Sequence, residues 1–157
     1  MHQPDRTERL IGAAAVALLL VVALALVRGA PLWHKLPAPV WAHLVAAVLA
    51  LALTPAILWG RRGTTRHRVL GYLWVGAIAA TALASFAVKQ IRPGHFSLIH
   101  LLSVWTLVML PLVVVFARRG EHLRHRQAVR GLVVGALLIA GAFTFLPSRI
   151  LGHWLFG

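Results

Sequence analysis

Apolar residues along this chain fall into five long runs separated by short polar or basic stretches. The runs cover roughly residues 11–27, 40–60, 68–88, 95–117 and 127–146. A helix needs about 20 apolar residues to cross a hydrocarbon core of about 30 Å, and each run is near that length. The pattern predicts an all-α integral membrane protein with five transmembrane helices. Residues 1–37 form an N-terminal anchor helix and an interfacial loop, residues 38–146 a four-helix bundle, and residues 147–157 an interfacial tail. Ala23-Leu24-Ala25 faintly resembles a cleavage site, but the first run is longer than a usual signal core. An uncleaved anchor is therefore expected.

The last four runs repeat as two hairpins. His43 and His100 are 57 positions apart, and so are the triplets Arg61-Arg62-Gly63 and Arg118-Arg119-Gly120. The pairs His67-Arg68 and His125-Arg126 are 58 apart, and Pro55 and Pro111 sit near the same place in each copy. Residues 38–89 and 95–146 are read as two copies of one hairpin, both running the same way through the membrane.

Composition sharpens this picture. Of 157 residues 60% are hydrophobic, and the mean hydropathy of +0.82 is far above that of a soluble domain. Asp5, Glu8 and Glu121 face 16 Lys and Arg, a formal net charge of +13. That charge sits at the ends of apolar runs, where it signals topology, so a nucleic-acid partner is set aside. Residues 1–9, 61–68 and 118–130 carry eleven of the basic residues. The other side has five: Arg28, Lys35, Lys89, Arg92 and Arg149. The imbalance predicts an inner (plasma) membrane protein with its N-terminus and both Arg-Arg-Gly turns in the cytoplasm, and its C-terminus outside. There is no cysteine, which excludes disulfides and thiolate ligands.

Nine histidines in such a chain are the unusual feature. His43 and His100 lie about one turn in from the outer face. His67 and His125 begin the third and fifth spans at the cytoplasmic face. Two hairpins running in the same direction are related by a pseudo-two-fold axis along the membrane normal. Such an axis sets His43 opposite His100 and His67 opposite His125. The 17 residues from His43 to Gly60 span about 26 Å of helix, so the two pairs lie near opposite faces.

Two facing imidazoles inside a four-helix bundle are what a low-spin b-type haem requires. The candidate iron ligands are His43, His100, His67 and His125. Ala46, Ala47, Ala50 and Thr54 lie below His43. Gly71 and Gly76 follow His67, and Gly131 and Gly135 follow His125. Arg68 and Arg126 are suited to haem propionates. The plainer alternative for each histidine is an interfacial or hydrogen-bonding role. His2, His34, His95, His122 and His153 read that way. Trp33, Trp41, Trp59 and Trp154 read as interfacial anchors, Trp74 and Trp105 as packing residues, and Pro55 and Pro111 as kinks.

The paired His, Pro, Arg-Arg-Gly and His-Arg signature resembles a family of small bacterial membrane proteins of unassigned function. Four histidines on four successive helices are similar to the layout of the two-haem transmembrane cytochrome b superfamily, which includes ascorbate-dependent reductases. The resemblance covers about residues 38–146 and implies that alternate helices ligate each haem, pairing the second span with the fourth and the third with the fifth. This chain departs from that layout in placing His67 and His125 at helix starts among arginines.

The expected function is membrane electron transfer through one or two b-type haems, with quinone or a partner subunit of a larger redox complex as exchange partner. The alternatives are a cofactor-free structural or assembly subunit, and a small transporter or lipid-binding protein whose His/Arg turns hold anions. No acid falls within the five apolar runs, which argues against a carboxylate-based proton carrier. No phosphate loop or nucleophile motif is present. No side chain is assigned a catalytic role, and any chemistry would be a cofactor's.

Overall fold

A computed structural model of the chain describes residues 4–88 and 98–157, and these are helical with no strand among them. Helix α1 is Arg6–Gly29. It begins five residues ahead of its apolar run because Asp5 and Glu8 form a capping box. The Glu8 N–H donates to Asp5 Oδ1 at 2.9 Å, and the Asp5 N–H donates to Glu8 Oε2 at 3.2 Å. A 3₁₀ turn, Ala30–Lys35, occupies much of the predicted loop. Helix α2 is Ala38–Trp59 and contains Pro55. Helix α3 is Thr65–Ala87, capped by Thr64, whose hydroxyl accepts from the His67 N–H at 3.1 Å. Helix α4 is Leu98–Arg118 and contains Pro111. Helix α5 is His122–Phe143, with a π-helical segment, Val133–Ile139, inside it. A short helix α6, Ile150–Phe156, ends the chain.

Helices α1 to α5 are long and apolar enough to cross a membrane. The expected turn at residues 89–94 lies outside the described residues, as do His2, Lys89, Arg92 and His95. Among the described residues only Gly63 (φ 77°) and Gly120 (φ 71°) have positive φ. They are the glycines of the two Arg-Arg-Gly triplets, so the same left-handed turn reverses the chain in each hairpin.

Consecutive helices pack as neighbours from α1 to α5, and the π segment of α5 returns against α1, α2 and α4. The helices α2 to α5 thus close into a ring, in which α2 stands diagonal to α4 and α3 to α5. Helix α1 packs outside this ring, on α2 and α5. Its approach to α2 is close, since a Cβ on Gly12 would fall 2.5 Å from the Trp59 ring nitrogen. Helix α6 folds back onto α1, where Arg28 Nη1 donates to the Leu155 carbonyl at 2.7 Å and the Trp154 ring covers Gly29.

The centre is packed by Leu51, Ile57, Leu58, Trp74, Ile78, Leu110, Leu132 and Val133. Leu20, Val45, Leu73, Leu101, Val108 and Ile139 point outward and are exposed. Lipid tails are as apolar as these side chains, so in a membrane the burial of apolar area separates inside from outside only weakly. Close packing and polar contacts between helices must then supply the specificity.

Candidate functional site

The polar side chains of the bundle fall in three layers. At the end away from the Arg-Arg-Gly turns, His43 on α2 places Nδ1 2.9 Å from the Thr81 carbonyl oxygen on α3. Ser85 and Ser103 join α3 to α4 through hydroxyls 2.6 Å apart. His100 on α4 packs against the Phe86 ring, with centroids 5.7 Å apart. Both histidines of this pair therefore lean on α3.

In the middle layer, Trp74 Nε1 donates to Thr54 Oγ1 at 3.0 Å, and that hydroxyl donates to the Ala50 carbonyl at 2.8 Å. Trp74, Thr54 and Ala50 are all fully buried. From His67 to Thr81 is 14 residues, about 21 Å of helix, and Trp74 stands midway. The small side chains below His43 thus make room for an indole ring.

The third layer lies at the basic end, where α1, α3 and α5 begin. His125 Nδ1 on α5 is 3.0 Å from the Val113 carbonyl oxygen on α4. His67 is half-buried, and its Nδ1 is buried without a hydrogen-bond partner among the described residues. It lies within electrostatic reach of His125 and Arg62. The structure therefore brings His67 and His125 into one neighbourhood at the ends of diagonal helices α3 and α5.

An ion cluster not foreseen from the sequence adjoins this pair. Glu8 is 1% exposed although it stands in the first turn of α1. Its carboxylate accepts from Arg62 of the first Arg-Arg-Gly turn and from Arg126 Nε at 3.0 Å, and it forms an ion pair with Arg130 Nη2 at 3.1 Å. Asp5 accepts from Arg126 Nη2 at 2.8 Å and also pairs with Arg130. Trp59 Nε1 donates to the Glu8 carbonyl at 3.3 Å. One helix start thus ties both hairpins together. The Glu8 N–H, followed by Arg130 and Arg126, holds the Asp5 carboxyl below its ordinary pKa. The available sequence signal was the Asp5-x-x-Glu8 capping box, together with a chain that has only three acids.

No protein-family model, curated protein or solved structure matches the chain.

The remaining candidates can be placed directly. Arg126 is engaged by Glu8 and Asp5, so the guanidinium assigned to a propionate already serves the cluster. Arg68 is exposed and donates to Thr65 Oγ1 at 3.3 Å. Gly76 and Gly131 are exposed, so the open space beside them lies outside the bundle. A Cβ on Gly135 would meet the Trp105 ring at 3.5 Å. His34, His122 and His153 are exposed. Among the described residues no three or more of His, Cys, Asp and Glu converge on one point. The recurring unit is a histidine on a helix diagonal to its counterpart's.

The tautomers follow from the partners. A backbone carbonyl can only accept, so His43 and His125, when neutral, carry their proton on Nδ1. The lone pair then resides on Nε2. An imidazole that donates one N–H to a carbonyl and keeps the other nitrogen free is the usual form of a metal-ligating histidine. Each of these two rings therefore keeps one nitrogen that could accept a proton or bind a metal.

Proposed function

We propose that the chain is a membrane electron-transfer protein that holds b-type haem between paired histidines, His43 with His100 and His67 with His125. The supporting observation is the carbonyl-held tautomer of His43 and His125, which leaves one imidazole nitrogen of each free for iron. The buried, unpartnered Nδ1 of His67 beside His125 is consistent with the same reading. The bound group would supply one-electron chemistry, and the protein would supply ligands, packing and charge. Two levels about 21 Å apart along α3 would carry electrons across the membrane toward quinone or a partner subunit. Arg68 and Arg126 remain the proposed propionate partners, with Arg126 acting from within the ion cluster.

In this reading the Arg-Arg-Gly turns face the cytoplasm of a plasma membrane and the C-terminus lies outside, as the excess of arginine at the basic end suggests. A reporter active only in the cytoplasm, fused after Gly157, should be silent, and activity there overturns the orientation. For the haem, the test is a reduced-minus-oxidised spectrum of protein prepared with ample haem. A b-type spectrum is expected. His43→Ala and His100→Ala should abolish one component, and His67→Ala and His125→Ala the other. Folded, colourless protein overturns the proposal.

One observation favours a second reading, a cofactor-free structural subunit. The middle of the bundle is filled by side chains, with Trp74, Thr54 and Ala50 wholly buried. Colourless protein that co-purifies stoichiometrically with a membrane complex would select it.

A further inference from the structure

We infer that the outer edge between α3 and α4 docks a membrane helix of another polypeptide, one that carries acidic residues at the level of the Arg-Arg-Gly turns. The repeat relates two edges of the ring. Exchanging the hairpins carries α2 onto α4 and α5 onto α3, so the edge between α2 and α5 corresponds to the edge between α4 and α3. Helix α1 covers the first of these edges, packing on α2 and on the π segment of α5. Its acids Asp5 and Glu8 hold Arg62, Arg126 and Arg130 there. At the repeat's offsets, 57 for the turn and 58 beyond it, the counterparts of these three are Arg119, Arg68 and Tyr72.

The second edge is open and basic. Arg68, Tyr72, Arg118 and Arg119 are all exposed. Arg118 Nε and Nη2 donate to the Tyr72 hydroxyl oxygen at 3.4 and 3.3 Å, which joins α4 to α3 at this level. Arg68 lies one turn from Tyr72 on the same face of α3, and Arg119 follows Arg118. Among the described residues no ion pair includes Arg68, Arg118 or Arg119, and the chain's three acids are committed elsewhere. Glu8 and Asp5 hold the α1 cluster, and Glu121 pairs with Arg124 at 2.7 Å. Farther from the turns, the faces that carry Tyr72 and Arg118 present Gly76 and Leu83 on α3 and Val108 and Val115 on α4, all exposed. A Cβ on Gly76 would meet no heavy atom within 4 Å, so another helix could approach closely there.

Apolar faces alone would only meet lipid, and it is charge that selects the occupant. A second copy of this chain would set arginines against arginines, since its three acids are already paired. A helix with acids at this level supplies the missing partners, as α1 does at the corresponding edge, while its apolar face covers Leu83, Val108 and Val115. The Tyr72 O–H and the guanidinium N–H groups of Arg68 and Arg119 are the donors its carboxylates would meet. None of this depends on bound haem, and the test uses haem-free chain, in which no propionate competes for Arg68.

The probe is a fluorescent peptide of residues 1–29, which is α1 with its acids, titrated onto the full chain in neutral detergent. The chain has no cysteine, so a photo-crosslinker can be set at one position at a time. On Val115→Cys it should capture the peptide. On Val45→Cys, which shares a groove with Leu26 of α1, it should not. Saturable binding of one peptide per chain is expected. Arg68→Gln combined with Arg119→Gln should weaken it roughly tenfold, and so should Asp5→Asn with Glu8→Gln in the peptide. Both arginines are exposed, so the double variant should keep the parent's unfolding midpoint, and the altered peptide tests the same contact without touching the chain. Equal binding by the neutral peptide or by the arginine variant overturns the inference. Loss of capture on adding phosphatidylglycerol at the peptide's concentration would assign the arginines to lipid headgroups and also overturns it. Crosslinking of chain to chain through Val115→Cys without peptide would assign the edge to a second copy, with the same consequence.

Discussion

The two ends of the bundle solve the same problem with different chemistry. At the end bearing His43 and His100, neutral groups join neighbouring helices one bond at a time: His43 to the Thr81 carbonyl, and Ser85 to Ser103. At the basic end, Glu8 and Asp5 gather Arg62, Arg126 and Arg130 from both hairpins into one charged cluster. Neutral hydrogen bonds between membrane helices are modest, averaging about 0.6 kcal/mol. Breaking a buried charge pair costs far more, because it strands the remaining charge. The comparison teaches that the architecture is pinned at one end by a shared charged cluster and held at the other by single neutral bonds.

The most damaging test of this contrast is Glu8→Gln. It leaves three guanidiniums around a neutral amide and should cost about 3–5 kcal/mol in unfolding free energy. Ser85→Ala at the opposite end should cost about 0.6 kcal/mol. Denaturant unfolding in detergent micelles gives both numbers. Similar losses for the two variants would show that the basic end is no more pinned than the other.

Next come the turns. Gly63→Ala and Gly120→Ala each force a side chain into the left-handed region and should each cost about 1–2 kcal/mol. Equal costs are expected from equivalent turns. An effect confined to Gly63, whose neighbour Arg62 joins the ion cluster, would mean that the cluster rather than φ sets the turn.

A smaller effect reverses the ranking of the ends. In haem-free protein, His43→Ala removes the donor to Thr81 and should cost about 1 kcal/mol. Among the described residues His67 has no partner at Nδ1, so His67→Ala should cost less than His43→Ala. A larger loss at His67 would expose a structural bond there and weaken its assignment as a ligand.

The smallest effect is one of pH. Asp5 has its pKa held below the ordinary value of 3.8, with the Glu8 N–H as the leading cause. A depressed carboxylate contributes stability that is complete above its unfolded pKa and lost as pH falls through the folded one. The unfolding midpoint should therefore sag below about pH 4, and Asp5→Asn should flatten that sag. An unchanged acid limb in Asp5→Asn would leave Asp5 outside the cluster's energetics.

Much of the fold was legible from the chain itself. All five long helices end within a few residues of their apolar runs, and α1 and α5 alone start five residues ahead of theirs, because length and apolarity are local properties of a span. The repeat was legible in the same way, and its glycines share a backbone conformation because the same triplet makes the same turn. The start of α1 was not visible in its apolar run, because Asp5 and Glu8 form the cap five residues ahead of it. Arg126 was read from its neighbour His125, and no spacing rule reveals that a carboxylate 118 positions away occupies it.

Composition, run length and the 57-residue echo determined that this is a chain of five apolar helices with two like hairpins, because each helix satisfies its own backbone hydrogen bonds and needs only its own residues to do so. The tertiary structure alone decided which arginines meet Glu8, which carbonyls hold His43 and His125, and that Trp74 fills the space below His43. Those are encounters between segments far apart in sequence. They depend on how α1 to α5 turn their faces toward one another, which is set by the packing of all five together.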